Sequence, residues 1–213
     1  MSKPFTDHDL AAQLTQDINW RIREISDLKS AVLGADSIAR PVLLRSIVAI
    51  GYAHWEGHVR FSANKFLTHV ALRKLPFAVL QRQFLRNDFL PRLATIGNKS
   101  ITERGQLVDQ ILVGESNRFA RVNESLINTR ANLNFEVLID ICTICGIDLA
   151  VFAGQETFID ILLLKRRNAI AHGEDTLIDI GELNDLSDGV VALMRTFSNE
   201  LQSSAYLESY RAA

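Results

Sequence analysis

The residues best suited to acid–base chemistry gather at the end of one predicted helix, within residues 155–174. An apolar run leads into Arg167 and Asn168, and His172 and Gly173 follow. Residues four apart share a face of a helix, so Asn168 lies one turn before His172, and the long side chain of Arg167 can reach the same place. Glycine is the usual residue just past a helix C-terminus. The pattern therefore predicts that the helix ends at His172, beside a guanidinium.

These residue types suit the cleavage of RNA without a metal ion. In that reaction a base takes the proton of a 2′-hydroxyl, which attacks the adjacent phosphorus, while a cation holds the charge that develops on the nonbridging oxygens. His172 is the candidate base or, from a second subunit, the acid that protonates the leaving 5′-oxygen. Arg167 is the candidate phosphate clamp, because its fork fits two phosphate oxygens at once.

Each of these residues also has a purely structural interpretation. Arg167 and His172 can be a solvated arginine and a helix-end histidine. Asn168 either orients the imidazole or bonds the ribose, or it is only a polar residue at a helix end. Arg166 either adds a phosphate contact or lies on a solvated helix face. The residues alone leave these alternatives open.

Three stretches, in this order along the chain, resemble the HEPN superfamily of small all-helical proteins. Residues 52–60 contain the string Tyr-Ala-His-Trp-Glu-Gly of the long second helix in one bacterial branch. Residues 132–147 are similar to the segment before the signature helix, and residues 167–173 match the Arg-x-x-x-x-His signature. The signature alone is common by chance, whereas the three together are far more specific. Many HEPN proteins are metal-independent ribonucleases, so the resemblance implies that activity here.

The resemblance also implies partners. HEPN ribonucleases commonly dimerise so that two signature helices share a cleft, which predicts a homodimer with a composite site and RNA as substrate. The seam of the long helix that contains Gly51 and the last helix are both candidate contact faces. A bacterial toxin–antitoxin or phage-defence system is the expected setting, with an antitoxin or a separate trigger protein. Some HEPN toxins carry a tyrosine two residues after the histidine, where a nucleotide is attached; Glu174 stands there in this chain.

Acidic, histidine and cysteine side chains elsewhere raise the question of a metal site. Glu56 is two residues after His54, about 200° round the helix, so it points away from the face that His54 and His58 share. Glu56 is predicted either to pair with Arg60, four residues on, or to reach the signature cleft and position Arg167, as the resemblance suggests. A site made of the two histidines remains a minor alternative. We expect neither a metal nor a cofactor.

The two cysteines stand three residues apart within an apolar segment. Cys142 and Cys145 lack a second pair of ligands at the spacing that zinc needs. We therefore predict two buried structural thiols.

Composition favours a globular protein, and we expect it in the cytoplasm because targeting and membrane signals are absent from the sequence. The chain has 213 residues, of which 47% are hydrophobic and 23% charged, with a formal charge of −2. A sequence pI near 6.2 excludes a global basic field, so contact with nucleic acid has to rest on a local patch. No signal peptide and no apolar run of about 18 residues is present. We expect no membrane association.

The hydrophobic spacing predicts an all-α fold, a helical bundle with a long central helix and a helical or irregular insertion. The resemblance implies that this bundle is HEPN-like. We interpret residues 1–213 as one domain. Helices are predicted over residues 7–32, 38–73, 77–95, 101–112, 134–145, 155–172 and 180–207, with Pro91 kinking or ending the third. A non-catalytic helical adaptor or dimerisation module in the same kind of system is the rival function, since the chain lacks a strong basic stripe.

Overall fold

The computed structural model describes residues 2–130 and 132–212, and for Glu124 the backbone alone. Seven α-helices follow one another along the described chain: α1 (Asp7–Gly34), α2 (Arg40–Leu72), α3 (Arg82–Ala94), α4 (Ile101–Leu112), α5 (Phe135–Cys145), α6 (Arg166–Ala171) and α7 (Leu183–Tyr206). A π-helical segment, Phe158–Lys165, runs directly into α6. Extended pairing among the described residues is confined to two isolated bridges, so the predicted all-α bundle is confirmed.

The central element is α2, which at 33 residues is about 50 Å long. It packs most extensively against α7 and α1. Its buried residues recur at the predicted intervals of three and four: Leu44, Val48, Gly51, Trp55, Val59, Ser62, Phe66 and Val70. The Trp55 ring lies within 6.4 Å of Phe152 and 6.3 Å of Phe197, centroid to centroid. The long helix is therefore wrapped by its neighbours along most of its length.

One of the two faces considered for dimerisation is buried within the chain itself. Gly51 is buried, and a Cβ atom placed on it would lie 3.3 Å from the Cγ2 atom of Val190 on α7. The absence of a side chain lets the two helices approach each other. The Gly51 seam, one of the two candidate contact faces, is therefore occupied by α7 of the same chain.

Charged side chains of α1 are buried where this helix packs against α2. Asp17 and Arg21 are each 8% exposed and form a salt bridge of 2.8 Å. The second carboxylate contact of Asp17 is to Nδ1 of the fully buried His58, at 2.7 Å. His54 Nε2 lies 3.0 Å from Glu24. The two histidines that were considered as metal ligands therefore both contact carboxylates of α1.

Gly57 leaves the space that Arg21 occupies. A Cβ atom at position 57 would lie 2.7 Å from Nη1 of Arg21. On its other side the guanidinium carbon lies 4.6 Å from the centre of the Trp20 ring. The glycine of the Tyr-Ala-His-Trp-Glu-Gly string thus has a packing reason, since it lets a buried arginine lie against α2.

The Asp17 carboxylate is expected to contribute strongly to stability at neutral pH. Burial by itself would raise its pKa, but hydrogen bonds from His58 and Arg21 outweigh burial and hold the pKa below its ordinary value of 3.8. Because the pKa is lowered on folding, the contribution is present above the ordinary value and is lost as the pH falls through the folded one. Asp17→Asn is expected to lower the free energy of unfolding by about 3 kcal/mol at pH 7, because it leaves Arg21 buried without its counter-charge.

Urea unfolding of the wild-type and Asp17→Asn proteins between pH 7 and pH 3 checks this expectation. The difference between their free energies of unfolding should become smaller below pH 3.8. Asp27→Asn, an exposed carboxylate of the same helix, serves as the control and is expected to change stability by less than about 0.5 kcal/mol. A constant difference across the pH range would contradict the role assigned to Asp17.

The insertion between α2 and α5 contains α3 and α4. The side-chain amide of Asn87 on α3 donates a 2.8 Å hydrogen bond to the carbonyl of Ile144 on α5, which ties the insertion to the bundle. Pro91 lies inside α3, which continues to Ala94, so the proline does not end the helix. The predicted buried thiols are confirmed: Cys142 and Cys145 on α5 are free and buried, and burial raises the pKa of Cys142 to about 12. No described helix combines the length and hydropathy needed to cross a bilayer.

Candidate functional site

The signature helix is not a uniform α-helix. Its first part, Phe158–Lys165, is π-helical, and α6 continues it from Arg166 to Ala171. The wider π turns shift the register of the residues that follow, and such turns often occur at functional sites. The predicted end is confirmed: His172 is the C-cap, and Gly173 has a φ of +79°, the left-handed conformation that glycine adopts without strain.

Arg167 is held from two sides. Its guanidinium carbon lies 4.1 Å from the centre of the Tyr52 ring, which belongs to α2. Its Nη2 atom donates a 3.1 Å hydrogen bond to Oδ1 of Asn132, in the segment before α5. A cation over an aromatic face and a directed hydrogen bond together define the position of a planar guanidinium. We call Tyr52, Asn132 and Arg167 the arginine cradle.

Tyr52 connects the arginine cradle to the segment before α5. Its hydroxyl accepts a 2.5 Å hydrogen bond from the backbone N–H of Leu133. Burial raises the pKa of Tyr52, and the nearby charge of Glu56 raises it further, against an opposing effect of Arg167 and the Leu133 N–H. The ring therefore stays neutral at physiological pH, as a surface for the cation above it.

Glu56 lies one turn beyond Tyr52 on α2 and contacts the same segment. Its Oε1 atom accepts a 2.5 Å hydrogen bond from the hydroxyl of Thr129, which is buried. Arg60 forms no ion pair with any carboxylate among the described side chains, so the alternative of a Glu56–Arg60 pair was wrong. Glu56 therefore contacts, through Thr129, the segment that also contains Asn132.

The side chain of His172 is exposed, whereas that of Arg167 is half-buried. Its backbone N–H donates a 2.9 Å hydrogen bond to the carbonyl of Asn168. Within the described part of the chain, no side chain is hydrogen-bonded to the imidazole, and the Asn168 amide makes no described bond either. On an ideal helix, Arg167 and His172 are about 7.5 Å apart along the axis and about 140° apart around it. The chain therefore presents the two groups on different sides of α6.

Arg166 points elsewhere. Its Nη1 atom lies 2.7 Å from Oε2 of Glu182, just before α7. Both side chains are partly exposed, which limits the free energy of such a pair to at most about 1 kcal/mol. The pair ties α6 to the start of α7, and a phosphate contact by Arg166 would have to open it.

Comparison with known families identifies the chain. The profile of the RiboL-PSP-HEPN family matches residues 16–203, which include the arginine cradle and the whole signature helix. This chain belongs to the RiboL-PSP-HEPN family. Neither the curated proteins nor the solved structures gave a match. The resemblance to the HEPN superfamily seen in three short stretches is therefore confirmed over most of the RiboL-PSP-HEPN chain.

Sequence reasoning missed Tyr52 and Asn132, two residues that hold Arg167 of this RiboL-PSP-HEPN protein. Tyr52 and Asn132 are 80 residues apart in the chain, and neither was assigned a role. A signal was nevertheless available, because each is the first residue of a stretch that resembles HEPN proteins. The structure brings the starts of all three stretches together at Arg167.

Proposed function

We propose that this RiboL-PSP-HEPN protein is a metal-independent endoribonuclease that acts as a homodimer in the cytoplasm. The observation that carries the proposal is an exposed imidazole at the end of the helix whose first α-turn contains the cradled Arg167. His172 takes the proton of the 2′-hydroxyl or gives one to the leaving 5′-oxygen. Arg167 stabilises the charge on the phosphoryl oxygens. Asn168, one turn before His172, contacts the ribose or the imidazole once substrate is present.

A second subunit supplies what one protomer lacks. Cleavage by 2′-hydroxyl attack proceeds best with both an acid and a base, and each chain offers a single signature histidine. Exposed apolar side chains support an interface here. Leu177, five residues beyond His172, is 88% exposed, and Val42 on α2 is 65% exposed.

These two residues belong to neighbouring parts of the surface. Arg45, one turn from Val42, donates a 3.1 Å hydrogen bond to the carbonyl of Glu174 in the loop that contains Leu177. Exposed apolar side chains grouped in this way are typical of a protein–protein contact. In the proposed dimer a second copy covers them and places its own His172 across from the first.

The proposed biological setting is a bacterial toxin–antitoxin or phage-defence system, with an antitoxin or a trigger protein that controls cleavage. Residues 1–213 act as one domain in this proposal, since a continuous hydrophobic core runs from Leu10 to Tyr210. Glu174 stands two residues after His172. Control by nucleotide attachment to a tyrosine at that position is therefore not part of the proposal.

The purified protein is expected to cut single-stranded RNA equally fast in EDTA and in magnesium, because imidazole and guanidinium replace the metal. The products should carry 2′,3′-cyclic phosphate and 5′-hydroxyl ends, which phosphatase and kinase treatment followed by electrophoresis distinguishes. The His172→Ala protein, purified in parallel, controls for contaminating nucleases. A requirement for a divalent ion, or products with 3′-hydroxyl ends, would rule out the mechanism.

A second candidate function is a non-catalytic adaptor, and the insertion supports it. An apolar groove of about 390 Å³ lies between α3 and α4. Leu90 at 48% and Leu93 at 39% exposure line it. Growth of cells after induction of the wild-type or the His172→Ala protein separates the two functions. If the protein is an adaptor, neither form should slow growth. If it is a nuclease, the wild type should arrest growth and the variant should not.

A further inference from the structure

A second surface feature lies outside the arginine cradle, along α2. It is a groove of about 560 Å³ between residues 57–72 of α2, the N-terminal segment and residues 120–122. Four cationic side chains line it: Lys3, Arg60, Lys65 and Arg121. We call it the basic groove. The chain as a whole has a formal charge of −2, so this grouping of cations is a local feature and not a reflection of composition.

The basic groove lacks counter-charges of its own. None of the described residues that line it is acidic. None of its four cations forms an ion pair with a carboxylate among the described side chains. Burial lowers the pKa of Lys65, which means that its ammonium group loses solvation there. An anionic ligand in the groove would compensate that loss.

The basic groove also offers an aromatic surface. Phe61 lines it, half-buried, and the Lys65 ammonium lies 5.5 Å from the centre of its ring. Single-stranded nucleic acids bind to proteins through cations that follow the backbone and aromatic rings on which bases stack. An acidic peptide would use the cations but has no comparable use for the ring.

The basic groove and the arginine cradle are connected by one stretch of chain. Arg121 lines the groove, Thr129 is bonded to Glu56, and Asn132 is bonded to Arg167. Arg121, Thr129 and Asn132 thus lie beside α2 or its neighbour Arg167, in order from the groove to the cradle. Along the axis of α2, Tyr52 and Arg60 are only about 12 Å apart. A short single strand of RNA can therefore contact the basic groove and the arginine cradle at the same time.

We propose that the basic groove binds the backbone of single-stranded RNA on one side of the phosphate held by Arg167. This assignment rests on the proposed ribonuclease function and adds the path of its substrate. Lys65, Arg60 and Arg121 contact successive phosphates, and Phe61 receives a base. The groove gives affinity without reading sequence, because phosphate contacts carry no base information.

The test measures binding separately from cleavage. Fluorescence anisotropy with a labelled single-stranded RNA of about 12 nucleotides, methylated at every 2′-oxygen so that it cannot be cut, gives the Kd at several salt concentrations. The triple variant Arg60→Gln, Lys65→Gln, Arg121→Gln is expected to bind roughly tenfold to a hundredfold more weakly and to lower the salt slope by about 2, since each phosphate contact on a single strand contributes about 0.7.

The matched control removes the same charge elsewhere. Arg23, Arg86 and Arg195 are exposed and do not line the basic groove. Their triple glutamine variant is expected to keep the Kd within about twofold, because distant exposed charges are screened at physiological salt. Circular dichroism melting confirms that both variants are folded. The single variant Arg121→Gln, in a loop, is expected to lower the salt slope by about 0.7 and gives an independent measurement.

The outcomes separate the two proposals. If the wild-type protein binds RNA more tightly than the groove variant but cuts no RNA, the proposed role of the basic groove is upheld and the ribonuclease function is overturned. Cleavage by wild type together with equal Kd and salt slope in the two triple variants overturns the groove. Tighter binding of a polyglutamate peptide than of RNA would make the occupant an acidic protein segment and would also overturn it.

Discussion

Replacing His172 by alanine is expected to slow RNA cleavage by about 10²- to 10⁴-fold, the range that general acid–base groups contribute. The imidazole is exposed and makes no described side-chain contact. Its loss should therefore change the free energy of unfolding by less than about 0.5 kcal/mol. Single-turnover cleavage in EDTA, with urea unfolding of the same preparations, measures both quantities. His8→Ala removes another exposed histidine and is expected to leave cleavage unchanged.

A mixed dimer tests whether the two imidazoles share one phosphate. Wild-type and His172→Ala chains with different tags can be refolded together, and the mixed dimer isolated by tandem purification. If one histidine acts as base and the other as acid, the mixed dimer is expected to be nearly as slow as the homodimer of the variant. Half of the wild-type rate would mean independent sites, and full activity of the His172→Ala homodimer would remove the histidine from the mechanism.

Arg167→Lys is expected to lower the cleavage rate by about 10²- to 10³-fold, as does the loss of one preorganised donor at a developing charge. Lysine keeps the positive charge but cannot form the planar stack on Tyr52 and the fork toward two oxygens together. The measurement is single-turnover cleavage at saturating protein, so that binding does not limit the rate. Arg195→Lys, an exposed arginine of α7, is the control and is expected to have no effect. A wild-type rate in the Arg167→Lys protein would mean that charge alone suffices.

Two substitutions at Tyr52 separate positioning from stability. Both remove the hydroxyl that accepts the Leu133 N–H, and a buried donor left without its acceptor costs about 1–3 kcal/mol of unfolding free energy. Tyr52→Phe keeps the ring under the guanidinium, whereas Tyr52→Leu removes it. The cleavage rate is therefore expected to fall with leucine and to stay near wild type with phenylalanine. Equal rates in the two variants would contradict the positioning role of the ring.

The spacing of apolar residues was enough to predict most of the helices, and the glycine after His172 was enough to predict where the signature helix ends. The apolar repeat of α2 and the bounds of α4 agree with the structure, and so does the left-handed Gly173 after His172. These features depend on residues within one or two turns, whose order in the chain decides them. The π-helical segment was missed, because residues 158–164 are apolar at almost every position and such a run does not define a helical register.

The surroundings of the site depend on contacts between distant parts of the chain. The Gly51 seam was one candidate face for contact with a second subunit, yet α7 of the same chain packs against it. The cations of the basic groove come from the N-terminus, α2 and the loop at 120–122, and no window of sequence contains them together.

The sequence alone determined which chemical groups this protein presents: an imidazole and a guanidinium five residues apart, on a helix that ends at a glycine. This was possible because the regular geometry of a helix follows directly from the order of its residues. Their orientation was decided only by the tertiary fold. Packing of α6 beside α2 stacks Arg167 on Tyr52, and the segment before α5 adds Asn132. These contacts join residues 35 or more positions apart, and packing of the whole core, which no short segment specifies, determines where they meet.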